Sequence, residues 1–156
     1  MSKPPGRQHR NVCLNRRARF TYELEESYEA GLILLGSEVK SLRQGKGNLE
    51  DAYVGFDGHG RPVLMNAHIA PYPQANRLNH EPTRPRPMLM HLEELRRLRQ
   101  RVKEKGIALV PMQMYFIGPW IKIEFAVGRG KKLHDKRATI REREDTREAQ
   151  RAIRGR

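Results

Sequence analysis

Residues 107–127 read IALVPMQMYFIGPWIKIEFAV, and they carry the strongest structural signal in the chain. Residues 107–117 are mostly apolar, whereas apolar and polar residues alternate from Trp120 to Val127. Gly118-Pro119 separates the two halves and is a turn signal, so the stretch predicts an antiparallel hairpin. Pro111 has no backbone N–H and therefore predicts an edge position or a bulge in the first strand.

A strand and a short helix are predicted upstream of this hairpin. Alternation begins at Phe20 and runs toward Leu32 to Leu35, which predicts a half-buried strand with a bulge at Gly31. The next segment, GSEVKSLRQGKGN at residues 36–48, opens with Gly and Ser before Glu38 and ends in two glycines. Such a pattern is typical of a short capped helix.

The middle of the chain predicts a second hairpin followed by a long loop. Residues 49–56 and 62–69 flank the Asp57-Gly58 pair, which favours a tight turn between two strands. Residues 71–87 contain five prolines, so regular structure should be broken over most of that segment.

The clearest helix signal lies between Leu92 and Val102. Four apolar residues fall on one face there beside many Arg and Lys residues, and Gly106 closes the segment. Several antiparallel strands with two or three flanking helices indicate a mainly β protein, and we expect a small closed β-barrel, because closure removes exposed strand edges. We expect a basic N-terminal arm at residues 1–19, the barrel at residues 20–128 and a basic C-terminal tail at residues 129–156.

The net charge of +13 lies at the two ends of the chain. Residues 1–19 carry six Lys and Arg and no acidic residue, and residues 129–156 carry eleven against five acidic residues. Residues 20–128 are close to neutral, with fourteen against thirteen. Cationic ends of this kind favour a polyanionic partner such as nucleic acid, whose phosphates release counterions on neutralisation. Because the tail has few apolar residues, we expect it to be disordered when free and able to become helical on a partner.

Other function classes find little support in the sequence. A mean hydropathy of -0.81 and short apolar runs argue against a membrane protein, and the first residues lack the apolar region of a secretory signal, so we expect a cytoplasmic chain. No phosphate-binding GxxxxGK loop, zinc-ligand spacing or GxSxG nucleophile motif occurs, and the single Cys13 cannot form an internal disulfide. We therefore expect no cofactor, no metal and no catalytic residue.

Three blocks of sequence resemble one known family. They are NRRARFTY with YEAGLILLGSEVKSLRQGKGN, then PYPQANRLNHEPTRPRPML, then VGRGKKLHDKR followed by TIRERE. In this order they resemble the SsrA-binding family over about residues 13–144. The resemblance implies an OB-type barrel that binds the tRNA-like domain of transfer-messenger RNA. It also implies entry into stalled ribosomes, with the tail reaching the decoding region of the small subunit and its ribosomal RNA. We expect the free chain to be monomeric.

The resemblance also implies two sets of site residues. The RNA-binding set is Arg16, Arg17, Glu29, Gly31, Lys40, Arg43, Lys46 and Leu89. The ribosome-contacting tail set is Lys131, Lys132, His134, Asp135, Lys136, Arg137, Ile140 and Arg141. Two departures from the usual family pattern stand out. One is Pro87, Met88 and Met90 around Leu89, where a positive charge is lost, and the other is Asp145, where some relatives have an aromatic residue.

Two alternative functions remain open from the residues alone. A general single-strand RNA binder on the same scaffold would need an exposed aromatic platform, and only Trp120 is expected to be exposed, on the face of Lys122 and Glu124. A nuclease would need acidic residues to hold magnesium, for which Glu38, Asp51 and Asp57 are the candidates. The basic surroundings of Glu38 favour a salt-bridged surface instead.

Overall fold

The computed structural model describes residues 9–131 and 133–155, and over these residues strands predominate. The strands are β1 (His9–Leu14), β2 (Tyr22–Leu32), β3 (Gly47–Asn48), β4 (Tyr53–Phe56), β5 (Pro62–Met65), β6 (His68–Ile69), β7 (Arg86–Leu89), β8 (Ile107–Ile117) and β9 (Trp120–Gly130). The α-helices are α1 (Ala18–Thr21), α2 (Gly36–Arg43), α3 (Leu92–Val102) and α4 (Leu133–Arg154), and a 3₁₀ segment spans Pro73–Leu78. The prediction of a mainly β protein with short helices is confirmed.

The hairpin of β8 and β9 supplies the second and third strands of a seven-stranded antiparallel sheet with the order β1-β8-β9-β2-β7-β5-β4. The predicted hairpin is thus confirmed, and its second strand extends to Gly130. The pairing register shifts between Pro111 and Gln113, which confirms the predicted bulge. On its other side β8 pairs with β1 only from Gln113 to Ile117, so Pro111 also lies at a local edge, beyond the end of β1.

Strand β2 differs in two respects from its prediction. It begins at Tyr22, because Phe20 lies in α1. Its register shift falls between Leu24 and Ser27, so the bulge predicted at Gly31 is wrong. Gly31 instead pairs with β9 on one side and β7 on the other, where a Cβ at this position would lie 3.6 Å from the Cβ of Leu89.

Strand β1 was not foreseen from the sequence. It pairs antiparallel with the second half of β8, from His9 opposite Ile117 to Leu14 opposite Gln113. Its side chains are mostly exposed, so the segment lacks the apolar alternation that marks a half-buried strand. Part of the N-terminal segment, predicted to be a basic arm, therefore extends the sheet.

The second predicted hairpin is confirmed as β4 and β5, with shorter strands than expected. Residues 49–52 precede β4 without joining it, although Leu49 and Ala52 are buried in the core. Residues 68–69 form β6, which pairs with β3 in a separate two-stranded sheet. The proline-rich loop holds the 3₁₀ segment and ends at β7, which begins at Arg86.

The predicted closed barrel is not confirmed. Among the described residues the hydrogen-bonded strand order ends at β1 on one side and β4 on the other, so the sheet is open. Strand β4 packs beside β8 without a ladder between them. Asn15 bridges this region, since its side-chain amide donates to the carbonyl oxygens of Pro111 at 2.9 Å and of Leu49 at 3.3 Å.

Helices α2 and α3 confirm their predictions. Leu95 and Leu98 of α3 are buried, whereas Leu92 at its first turn is 58% exposed, contrary to the single apolar face expected. Arg99 ties α3 to the β4–β5 turn, because its Nε donates to the carbonyl oxygen of Gly60 at 2.9 Å.

Arg129 and Gly130 of the predicted tail belong to β9, and most of the remaining tail forms the long helix α4, with exposed side chains over nearly all of its described length. It contacts α1, where the guanidinium carbon of Arg143 lies 5.7 Å from the centre of the Phe20 ring. A helix at this position was expected only when the tail is bound to a partner. Disorder of the free tail stays a prediction.

Candidate nucleic-acid interface

The outer face of the sheet brings Glu29, Gly31 and Leu89 together. In the register of the strands Gly31 of β2 pairs with Leu89 of β7 and with Lys122 of β9. Glu29 lies two residues earlier on the same face of β2 and is exposed. Leu89 is 61% exposed. These three members of the predicted RNA-binding set therefore form one contiguous surface.

A shallow cavity of about 300 Å³ opens on this surface. Its lining combines carboxylate, cationic, aromatic and apolar side chains, namely Glu29, Leu89, Met90, His91, Glu94 and Lys122. Sequence analysis had placed Lys122 on the exposed face of β9 but not in the site. Its place follows only once the pairing of β9 with β2 is known.

The carboxylate of Glu29 is oriented by Tyr115 of β8. The Tyr115 hydroxyl donates a hydrogen bond to Glu29 Oε2. Burial, and next the hydrogen bond to Glu29, raise the pKa of Tyr115 well above its usual value, so the hydroxyl stays protonated as a donor. The ring of His9 packs on Tyr115 with centroids 4.3 Å apart. Tyr115 was not predicted as a site residue. It lies in a mostly apolar run, where no alternation of polar and apolar residues indicates which face of the strand it occupies.

Helix α2 presents two of the predicted cations to solvent. Lys40 and Arg43 are both exposed. The ammonium of Lys40 lies 5.6 Å from the centre of the Tyr72 ring, and the guanidinium of Arg43 lies 5.9 Å from that of Phe116. Arg10 of β1 adds a third cation here, since its Nη2 donates to the carbonyl oxygen of Arg43 at 3.0 Å. These aromatic and backbone contacts restrict where the charges can move.

Lys46 extends the cationic surface of α2 into the following turn. Its side chain is exposed, and its carbonyl oxygen accepts a hydrogen bond from the backbone N–H of Ala70 at 3.1 Å. Gly45 before it adopts a φ of 75°, a left-handed conformation that favours glycine. Gly45 therefore occupies a turn position just after the helix, as the glycines at the end of this segment predicted.

A buried ion cluster fixes α2 against the sheet. The carboxylate of Glu38 is fully buried and receives hydrogen bonds from the backbone N–H of Leu35 at 2.8 Å, from Arg84 and from the fully buried Arg86. Arg86 also donates to the carbonyl oxygens of Ala67 and Pro82. The expectation of a salt-bridged Glu38 is confirmed, but the residue is buried and not on the surface.

The electrostatics of the cluster follow from burial and pairing. Burial opposes the ionisation of Glu38, but hydrogen bonds from Arg84, the Leu35 N–H and Arg86 together outweigh it and hold the pKa of the carboxyl below its usual value. For Arg86, burial lowers the pKa of the guanidinium, with Glu38 acting in the opposite direction. Both Glu38 oxygens are occupied by donors, which argues against magnesium coordination by this residue.

A second buried contact joins α2 to the proline-rich loop. The hydroxyl of Ser37 lies 2.8 Å from Nδ1 of the buried His80, whose Nε2 lies 2.9 Å from the carbonyl oxygen of Ile69. Because a carbonyl can only accept, Nε2 carries the proton, and in neutral His80 Nδ1 accepts from Ser37. Helix α2 is therefore held by an ion cluster and by this histidine.

Arg16 and Arg17 lie away from the α2 surface. Arg17 lines a cavity of about 350 Å³ that is shared with Tyr22 and Ala108. Tyr22 pairs with Gly130 at the end of β9, whereas Arg43 contacts the other end of the β8–β9 hairpin through Phe116. Arg17, and with it the adjacent Arg16, therefore lies near the start of the tail and away from Arg43. The same cavity contains Tyr53, 47% exposed, an aromatic residue that sequence analysis had not placed at the surface.

The tail begins where β9 ends. The backbone N–H of Lys131 donates to the carbonyl oxygen of Thr21 at 3.0 Å, and its Nζ donates to Thr139 Oγ1 at 3.0 Å. Lys132 lies outside the described residues, and so do the side chains of His134 and Asp135. The remaining members of the tail set lie on α4, with Arg137, Ile140 and Arg141 exposed and Lys136 half-buried.

The departures from the usual family pattern fall at positions that tolerate them. Pro87 lies in β7, where its carbonyl oxygen accepts from the Ile33 N–H at 3.0 Å. Met88 is buried in the core, while Leu89 keeps its exposed position. Asp145 is exposed on α4. The alternation of β7 therefore preserves the placement of Leu89 despite its altered neighbours.

Two further findings concern the described part of the chain. No helix there is both long and apolar enough to cross a membrane. No three His, Cys, Asp or Glu side chains within it come together as a group that could hold a metal ion.

Comparison with known proteins gives one consistent result. Residues 12–155 match the family model described as SmpB protein. The SsrA-binding protein of Desulforudis audaxviator is 51% identical over 146 residues, covering 94% of this chain and 95% of its own. That of Trichodesmium erythraeum is 47% identical over 154 residues, covering 98% of each. A solved structure described as "tmRNA-SmpB: a journey to the center of the bacterial ribosome" is 44% identical with a TM-score of 0.65, covering 78% of this chain and 85% of that one.

These matches agree with the class that the fold and site define, a small basic β protein with a cationic surface beside its sheet. The chain belongs to the SmpB protein family.

Proposed function

We propose that this chain is an RNA-binding adaptor that binds the tRNA-like domain of transfer-messenger RNA and brings it to stalled ribosomes for trans-translation. In this role the protein supports ribosome rescue and the tagging of incomplete peptides in the cytoplasm, and it catalyses no reaction itself. The support is the family membership, the relatives called SsrA-binding proteins and the similar structure described as tmRNA-SmpB in the ribosome.

One observation carries the proposal at the level of residues. The structure combines a shallow cavity around Glu29 and Leu89, with polar and apolar lining, and exposed cations on helix α2. Folded RNA is recognised through shape, phosphates and unstacked bases, and such a surface offers a partner for each. Lys40, Arg43 and Lys46 would neutralise phosphates, while Leu89 would pack on a base or ribose.

The tail has a second role in this proposal. Helix α4 has a cationic, mostly exposed surface, which suits a phosphate-lined ribosomal channel. Arg16 and Arg17 lie beside its start, so we assign them to the same ribosomal side of the molecule. The body would then hold transfer-messenger RNA while the tail acts on the ribosome.

A salt titration tests the binding step. If about six phosphates are neutralised, the logarithm of affinity for the isolated tRNA-like domain should fall with the logarithm of salt concentration at a slope of roughly -4 to -5. A slope near zero would count against an electrostatic interface.

Truncation after Arg137 tests the division of labour. Affinity for the isolated tRNA-like domain should stay within a few-fold of that of the full chain, while tagging of a stalled nascent peptide in a purified translation system should collapse. Full tagging by the truncated chain would remove the tail from the mechanism, and an equal loss of RNA affinity would assign the tail to the binding surface.

The nuclease alternative has a direct test as well. Labelled RNA incubated with the protein should remain intact with and without magnesium. Magnesium-dependent cleavage that co-purifies with the chain would contradict the adaptor proposal.

A further inference from the structure

The loop between β6 and β7 holds an apolar side chain in solvent. Leu78 is 86% exposed, and Arg77 beside it is exposed too. The 3₁₀ segment that ends at Leu78 contains no buried residue. Single exposed leucines are common on protein surfaces, so the exposure alone identifies no site. The hydrogen bonds at the base of this loop and the backbone conformation of its tip distinguish Leu78 from such residues.

Asn79 closes the base of the loop. Its Oδ1 accepts from the backbone N–H of Tyr72 at 3.0 Å, and its Nδ2 donates to the carbonyl oxygen of Tyr72 at 2.8 Å. The next residue, His80, is buried and is bonded to both Ser37 and Ile69. The tip of the loop is therefore carried on a base that is hydrogen-bonded to the body.

The backbone of the tip is unusual for a segment that contains no buried residue. Asn76 has a φ of 47° and a ψ of -114°. This conformation is unfavourable for a residue with a side chain and persists only where the surroundings impose it. Since the segment gains no burial in return, its shape is better explained by the presentation of Arg77 and Leu78 than by stability.

The base of the loop adjoins the cationic surface of α2. The backbone of Tyr72 is hydrogen-bonded to the side chain of Asn79, and the ring of Tyr72 lies beneath the ammonium of Lys40. Ser41 of α2 donates to the carbonyl oxygen of Ala70 at 2.6 Å, just before the loop. A partner that lies on Lys40 would therefore reach the loop tip.

We propose that Arg77 and Leu78 form an additional RNA contact, in which Leu78 packs against an unstacked base or ribose at a loop of the folded RNA and Arg77 binds a neighbouring phosphate. This proposal rests on the proposed function and adds a contact to it. The chemistry favours RNA over an apolar protein surface, because Arg77 adjoins Leu78 in the chain and Lys40 lies over Tyr72 at the base of the loop. Apolar side chains at nucleic-acid interfaces commonly pack on bases that are displaced from their stack.

Three variants of the full chain test it against the isolated tRNA-like RNA domain. Leu78→Ala should lower affinity about fivefold to tenfold with an unchanged salt slope, because it removes no phosphate contact. Arg77→Gln should lower affinity and reduce the size of the salt slope by about 0.7 to 0.9, the value for one phosphate. Asn79→Ala should weaken binding as Leu78→Ala does, because the tip loses its fixed base.

Ile153→Ala is the matched control, since Ile153 is an exposed apolar residue (76%) on the tail, and it should bind as the wild type does. Melting temperatures of all variants check that the body stays folded. If the wild type binds and Leu78→Ala binds equally well at every salt concentration, the proposal is overturned and the tip belongs to some other partner. A wild type that does not bind the RNA would contradict the proposed function, and with it this contact.

Discussion

Helices α2 and α4 are both basic, yet they are stabilised in opposite ways. Helix α2 has eight residues, and four of them are buried: Ser37, Glu38, Ser41 and Leu42. Helix α4 has twenty-two residues, and nearly all its described side chains are exposed. The shorter helix is thus the one embedded in the body.

The difference shows where each helix obtains its stability. An isolated helix of eight residues is unstable in water, so α2 exists because tertiary contacts hold it. Those contacts also fix the direction of Lys40 and Arg43. Helix α4 has oppositely charged residues at favourable three-residue spacing, such as Glu144 and Arg147, and it contacts α1. Its orientation can change without disturbing the core.

Among these changes, removal of Arg86 should cause the largest loss in the free energy of unfolding, because it breaks the ion cluster that holds α2. Arg86→Ala leaves the buried Glu38 with Arg84 as its remaining cationic partner, and breaking a buried ion pair costs about 3–5 kcal/mol. Urea unfolding measures the loss in the free energy of unfolding. Arg61→Ala, which removes an exposed partner of Asp57, should leave the free energy of unfolding close to that of the wild type. Equal stability of the Arg86→Ala and wild-type chains would show that α2 does not depend on the cluster.

Acid should destabilise the body through Glu38. The pKa of its carboxyl is lower in the folded chain than in the unfolded one, so the unfolded chain takes up the proton first as pH falls. The contribution of Glu38 is therefore fully present above the ordinary glutamate pKa of about 4.3 and is lost as pH falls through the folded-state value.

Melting temperatures measured between about pH 7 and about pH 3 check this dependence. The wild type should lose stability more steeply than Glu38→Gln over the acid range. Glu144→Gln on α4 should follow the wild-type curve, because Glu144 is exposed. Parallel curves for Glu38→Gln and the wild type would show that protonation of Glu38 does not cause the loss of stability in acid.

Packing beneath α2 should be sensitive to a single methyl group. A Cβ at Gly47 would lie 2.8 Å from Leu42 Cδ2 and 3.2 Å from Met114 Cε. Gly47→Ala should therefore cost about 1–3 kcal/mol in the free energy of unfolding. Gly58→Ala is the control, since no atom lies within 4 Å of its added Cβ. Similar stabilities for the two variants would mean that the contact of α2 with β8 adapts easily.

Loss of the tail should have the smallest effect on stability. Truncation after Arg137 should change the free energy of unfolding of the body by less than about 0.5 kcal/mol, because the removed residues bury little. Limited proteolysis should cut residues 138–156 of the free full chain well before residues 20–127. A tail that resists the protease as long as the body does would contradict the prediction that it is disordered when free.

Local patterns in the sequence predicted most of the regular elements. The β8–β9 hairpin, the β4–β5 hairpin, α2 and α3 were each predicted from apolar spacing and turn residues that act within about ten residues. Strand β1 was missed because its pairing with β8 joins segments about a hundred residues apart and leaves most of its side chains exposed.

The site was predicted less completely than the elements. Resemblance to a family supplied Glu29, Leu89 and Lys40, and the structure places Glu29 and Leu89 on one surface and Lys40 over the Tyr72 ring. It did not supply Tyr115, whose hydroxyl orients Glu29, since that contact spans 86 positions in the chain. Contacts of this range depend on strand register, which a single sequence does not display.

By itself, the sequence determined the uneven charge of the chain, the family and the order of its main helices and hairpins, because each is a property of composition or of neighbouring residues. The tertiary structure alone decided that the sheet is open and that Arg16 and Arg17 lie away from Arg43. It also decided that Glu38 is buried with Arg86, 48 positions away. These outcomes depend on which distant segments pack together, and packing is set by the whole core rather than by any local pattern.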